Sequence, residues 1–139
     1  MSIDKFKATL KKKEMKATPQ RLAVHREMME LVHASADMVY ERLKDKDGIS
    51  LASVYNILTD LCEAGIYRPL KSSTNKLFYD ICTEPHIHLY DYQNHNFVDV
   101  SDEEVLDLVS SHFKGRRFRG YRIDGYDVQI MVHATRKIH

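Results

Sequence analysis

The stretch that decides the fold is "SLASVYNILTDLCEAG", Ser50 to Gly65. Val54, Ile57, Leu58 and Leu61 recur at i, i+3, i+4 and i+7, the spacing of one helical face turned to a core. Ser50 stands where an N-cap accepts from free amides, and Gly65 where a left-handed stop ends the helix. This leaves Ser53, Tyr55, Asn56 and Asp60 outside. A tyrosine beside an asparagine near an exposed helix start can reach base edges and phosphates. Ser50 and Ser53, at the same end, join Tyr55 and Asn56 as candidate DNA contacts.

Upstream the chain is helical. Residues 4–15 suit a short basic helix, and Thr18 caps a second with Pro19 at its first position. That helix runs to about Val32, with Leu22, Met29 and Val32 inward. Ser35 caps a third, on which Ala36, Val39, Tyr40 and Leu43 share a face, ending near Gly48. Two helices joined by a short Gly-containing turn suggest helix-turn-helix, the Ser50 helix being the reader. Downstream, "IYRPLK" and "KLFYDI" are short strands joined by "SSTN", a wing. The expectation is a winged helix over 1–82; a helical bundle with a stabilising hairpin is the plainer alternative.

The pattern changes at Thr83-Glu84-Pro85. "HIHLYDY" and "NFVDV" read as strands around the polar turn "QNHN". Ser101 and Glu104 suggest a capping box for a helix with Val105, Leu108, Val109 and His112 on one face. "GYRIDGYDVQIMVHA" closes as extended structure in which Tyr126, Val128, Ile130 and Val132 alternate, with Asp124-Gly125 a turn or bend. Residues 83–139 thus form a small α/β domain, too small to be secure alone, which points to a homodimer. The fold class is α+β.

Composition sets the outer bounds. With 139 residues, 43% hydrophobic and 29% charged, the chain has room for one or two ordinary domains. Its longest apolar runs are too short to span a membrane, and its charged N-terminus is unlike a secretory signal. Two cysteines, Cys62 and Cys82, make no C-x-x-C pair, so a cytoplasmic setting is expected. The net charge of +1 conceals six lysines in residues 1–16 and the cluster "KGRRFR" at 114–119. Such runs either attract polyanions or are solvated surface.

His86 and His88 stand two apart on a strand and therefore share a face. Asp99 on the next strand can join them, Asp80 ends the wing, and His33 lies between helices. Imidazoles and carboxylates in this number suit a divalent metal. Each has a plainer reading: His33 a helix C-cap, His86 and His88 a polar strand face, Asp80 a turn residue, Asp99 a partner for a lysine. His25, His95, His112, His133 and His139 read as structural or surface.

The segments "KATPQRLAV", "HASADMVYERL", "ISLASVYNILTDLCEAGI", "FYD", "PHIH", "FVD" and "GYRIDGYDVQIMVHA" together resemble the ferric uptake regulator (Fur) superfamily over nearly the whole length. The resemblance implies a metal-dependent repressor that binds double-stranded, A·T-rich palindromic operator DNA as a homodimer. It maps the regulatory site onto His33, Asp80, His86, His88 and Asp99, and a minor-groove contact onto Lys16. Three histidines with two aspartates are closest to the peroxide-sensing PerR branch, implying one regulatory iron(II) or manganese(II) per subunit, with zinc(II) also accommodated. The two C-x-x-C pairs that bind a structural zinc in most of the family are replaced by Asp91 and Asn94, then Ala134 and Lys137. The positions of an auxiliary metal site read Pro85, Ile87, Leu106 and Tyr126. An iron- or haem-responsive regulator, with Cys82 as a conceivable haem ligand, is the nearer alternative. A non-haem iron enzyme or a winged-helix protein-interaction module are the others.

Overall fold

The computed structural model describes residues 1–46, 48–84 and 86–135. Pro85, Lys137 and His139, each given a reading above, lie outside them. The chain divides into two compact units, Met1–Thr83 and Glu84–His139.

The first unit begins with α1 (Ile3–Lys12), capped by Ser2, and α2 (Pro19–Leu31), where the Thr18 side chain accepts from the Arg21 amide. The inner face of α2 differs from expectation. Ala23, Val24, His25 and Met28 are buried, whereas Leu22, Met29 and Val32 are only partly covered. The helix stops at Val32, whose φ of 63° is unusual for a β-branched residue and turns the chain sharply. This bend opens β1 (His33–Ser35), a strand too short to show a period in the sequence. Helices α3 (Ala36–Leu43) and α4 (Leu51–Glu63) follow, with Ser35 and Ser50 as the N-caps. Strands β2 (Arg68–Lys71) and β3 (Leu77–Asp80) form the hairpin, and β1 pairs with β3 to give the antiparallel order β1-β3-β2. Val54, Ile57, Leu58 and Leu61 join Phe6, Leu10, Val24, Met28 and Tyr67 in one apolar core.

His25 is an interior group of that core. Its ring stacks on Phe6 at 3.9 Å, Nδ1 lies 2.6 Å from the Tyr67 hydroxyl, and Nε2 lies 2.8 Å from the Met1 carbonyl oxygen. A carbonyl only accepts, so Nε2 carries the proton and Nδ1 accepts from Tyr67. Burial pushes the His25 pKa below its ordinary value of 6.5, outweighing the raising effect of the Met1 carbonyl. The unfolded chain therefore takes up a proton that the folded one resists. The associated stability is complete above pH 6.5 and is lost as pH falls through the depressed folded value. Urea unfolding at pH 7.5 and 5.5 should show a pH-dependent loss that shrinks in His25→Phe; an undiminished loss in that variant would exclude this origin.

The second unit holds β4 (Ile87–Asp91), β5 (Asn96–Val100), α5 (Glu103–Phe113) and β6 (Val128–Val132). The sheet order is β5-β4-β6, antiparallel between β4 and β5 and parallel between β4 and β6. The cap of α5 is Asp102 rather than Ser101, its carboxylate accepting from the Val105 amide at 3.1 Å. Of the four positions assigned inward from spacing, Val105 and Val109 are half-buried while Leu108 and His112 are exposed; Leu106 and Phe113 are half-buried in their place. Asp124-Gly125 lies in an irregular approach to β6 and makes no hairpin. The core here is thin, chiefly Ile87, Tyr90 and Phe97, while Val98, Leu108, Ile130 and Met131 are exposed.

Candidate metal centre and nucleic-acid interface

In the first unit, the pairing of β1 with β3 sets His33 directly opposite Asp80. His33 Nε2 stands 3.6 Å from Asp80 Oδ2, and Asp80 is fully buried. The other carboxylate oxygen accepts from the Cys82 amide at 2.8 Å. A buried carboxylate costs several kcal/mol unless it is hydrogen-bonded and faced by a partner, about the scale quoted for buried ions generally. Both conditions are met here. His33 therefore belongs to a strand pair, not to a helix cap.

In the second unit, β4 and β5 set His88 directly opposite Asp99. His86 precedes β4 on the same side. The atoms His86 Nε2, His88 Nε2 and Asp99 Oδ1 form a triangle with edges of 2.8, 3.3 and 3.4 Å. Donors bound at about 2.1 Å to one ion at right angles lie about 3 Å apart. The spacing fits.

The proton positions sharpen the test. His86 Nδ1 lies 2.6 Å from the Glu84 carbonyl oxygen, and His88 Nδ1 lies 3.1 Å from Asp127 Oδ1. Neither partner can donate, so both Nδ1 atoms carry hydrogen and both Nε2 atoms of the neutral rings present lone pairs. Those lone pairs face each other across 2.8 Å. The arrangement is repulsive unless a cation, either an added proton or a metal ion, lies between them. Phe97, edge-on to His88 at 5.6 Å, leaves the buried ring little freedom to escape. Asp127 is a participant that sequence reasoning misses. The apolar alternation of Tyr126, Val128 and Ile130 places it on the opposite, solvent-facing phase.

Of the positions that would carry the two thiolate pairs of a structural zinc, the first pair does other work. Asp91 Oδ1 accepts from the amides of Gln93 and Asn94 at 3.0 and 3.1 Å, and its Oδ2 from Asn94 Nδ2 at 2.9 Å. The Asn94 hydrogen bonds hold the Asp91 carboxyl below its usual range. A closed polar turn thus occupies the β4–β5 connection.

The candidate DNA contacts lie on the first unit. Ser50 caps α4 by accepting from the Ser53 amide at 3.1 Å, and its hydroxyl bonds that of Ser53 at 2.9 Å. Tyr55 is half-exposed and Asn56 exposed, on the side of α4 away from Leu58 and Leu61. Lys16 is exposed, while its carbonyl accepts from Arg21 Nη1 at 2.8 Å, so its backbone is held to α2. The start of α4 offers free amides and a positive dipole end, the usual elements of phosphate binding.

The chain is similar in sequence and fold to known proteins. The peroxide operon regulator of Bacillus subtilis is 29% identical over 124 residues, covering 86% of each chain. The crystal structure of the Campylobacter jejuni peroxide stress regulator aligns with a TM-score of 0.70 at 31% identity, covering 99% of this chain and 100% of that one. The Vibrio cholerae ferric uptake regulator has the same fold, with a TM-score of 0.74 at 23% identity over 92% of this chain and 98% of its own. With residues 12–129 matching the family pattern as well, the chain belongs to the ferric uptake regulator family.

Proposed function

We infer that the protein is a metal-dependent, DNA-binding transcriptional repressor of the peroxide-responsive kind. In this reading one divalent ion recruits His33 and Asp80 from the first unit and His86, His88 and Asp99 from the second, fixing the angle between them. The observation that carries it is the pair of imidazole lone pairs aimed at one point, 2.8 Å apart, beside a carboxylate oxygen. Family membership makes this a regulator, so the non-haem iron enzyme reading is set aside.

The chain's own residues divide the work. The imidazoles and carboxylates supply five donors, and the two aspartates neutralise the ion's charge. Tyr55, Asn56 and Ser53 read base edges, Ser50 contacts DNA at the same helix end, and Lys16 enters an A·T-rich minor groove. The exposed Val98, Leu108, Ile130 and Met131 suit burial against a second copy, giving a cytoplasmic homodimer on a palindromic operator. Converting a mostly open population to a mostly closed one needs about 5.5 kcal/mol of differential binding, within reach of a multidentate site.

When bound, iron(II) supplies one-electron reduction of peroxide next to its own ligands, chemistry that manganese(II) and zinc(II) do not offer under the same conditions. In this reading the oxidised ligand would be His33 or His86, and loss of either would remove a donor. A thiol route through Cys62 is poorly suited, because burial pushes that thiol up to about 11 and keeps it protonated near neutral pH.

The test is operator binding by iron- and manganese-loaded protein before and after peroxide. Binding should be lost only in the iron form, with an oxygen atom added to His33 or His86 by peptide mass. Indifference of both forms would favour the iron-responsive alternative.

A further inference from the structure

We propose that Asp127 is a positioning residue for His88, fixing the tautomer that turns the Nε2 lone pair toward the metal. The proposal rests on the metal reading above and deepens it. His88 is fully buried, so its Nδ1 must find a partner within the protein. That partner is Asp127 Oδ1 at 3.1 Å, an oxygen that can only accept. The carboxylate is itself held: its Oδ2 accepts from Gln129 Nε2 at 2.9 Å. Gln129 is the residue in register with His88 across the parallel β4–β6 pair. Gln129, paired with His88, projects to the same side of the sheet, and Asp127, the residue just before β6, is brought to that side by its contacts with both.

The chain of contacts therefore runs from sheet register to Gln129, to Asp127, to the His88 ring. Two effects reach the metal. The ring is locked with Nδ1–H toward the carboxylate, and the negative charge beyond it makes Nε2 a stronger donor. Loss of such an outer partner costs roughly 10–100-fold in metal affinity.

Two substitutions separate charge from geometry. Asp127→Ala removes both, whereas Asp127→Asn keeps an oxygen that can accept from Nδ1–H. Nitrogen-15 NMR of the metal-free protein reads the His88 tautomer, and Mn²⁺ titration followed by electron paramagnetic resonance reads the affinity. Asp127→Ala should lose the Nδ1–H tautomer and bind Mn²⁺ about 10–100-fold more weakly. Asp127→Asn should retain the tautomer and recover part of the affinity. Unaltered Mn²⁺ affinity and tautomer in Asp127→Ala, with normal binding by the unmodified chain, would overturn the role of Asp127 alone. Failure of the unmodified chain to bind Mn²⁺ would overturn the metal reading and this proposal with it.

Discussion

Metal-dependent operator binding is expected to vanish in His86→Ala while the fold persists. The side chain stands ahead of β4, with Nδ1 against the Glu84 carbonyl and Nε2 toward His88 and Asp99, so its removal takes away polar contacts outside the apolar cluster of the first unit. Its loss takes away one of the two converging imidazoles. Even outer-shell partners typically contribute 10–100-fold to metal affinity, and a direct donor should exceed about 100-fold. Since the ion is proposed to set the angle between the DNA-reading unit and the second unit, its loss should appear as a missing Mn²⁺-dependent mobility shift. Circular dichroism should be unchanged. Retention of the full Mn²⁺ response would remove His86 from the ligand set.

A second large effect is expected on stability. Leu58→Ala should cost about 3 kcal/mol, within the roughly 2–5 kcal/mol range for emptying a leucine site in a packed core. Leu58 is fully buried in the apolar cluster to which α1, α2 and α3 also contribute, and α4 cannot shift to fill the void without disturbing Val54 and Leu61 of the same cluster. For a unit of this size the melting temperature should fall by roughly 15 °C, measured by thermal circular dichroism. The contrast with Asn56→Ala is informative. That exposed residue should alter melting by little and operator affinity by about 1–3 kcal/mol, the scale of one good base contact. Equal melting losses in both variants would mean that the two faces of α4 have been wrongly divided.

That division is readable from the sequence. The four apolar positions of α4 are far enough apart to define a helical period, and their burial follows. The caps Thr18, Ser35 and Ser50 are equally legible, because a capping side chain acts within three residues of itself. Elements set by distant partners are not. Strand β1 has three residues, and only pairing with β3, far along the chain, makes it a strand. Spacing misplaces the α2 face because the burial of His25, a polar residue, depends on Tyr67 and Met1 rather than on local hydrophobicity. It likewise turns Leu108 inward on a helix that buries no residue completely.

The candidate centre shows the same boundary. His86, His88 and Asp99 follow from strand alternation and a short hairpin, and Asp80 from the wing. Asp127 does not: parallel pairing across α5 brings it to His88, and no local rule encodes that register.

His86 and His88 are secured by unlike means. His86 leans on a main-chain oxygen, present whatever amino acid occupies position 84. His88 leans on a carboxylate that a single codon change can erase. Drift among descendants of this gene would therefore leave the orientation of the first ring intact. Adjustment of sensitivity over evolutionary time would fall on the second.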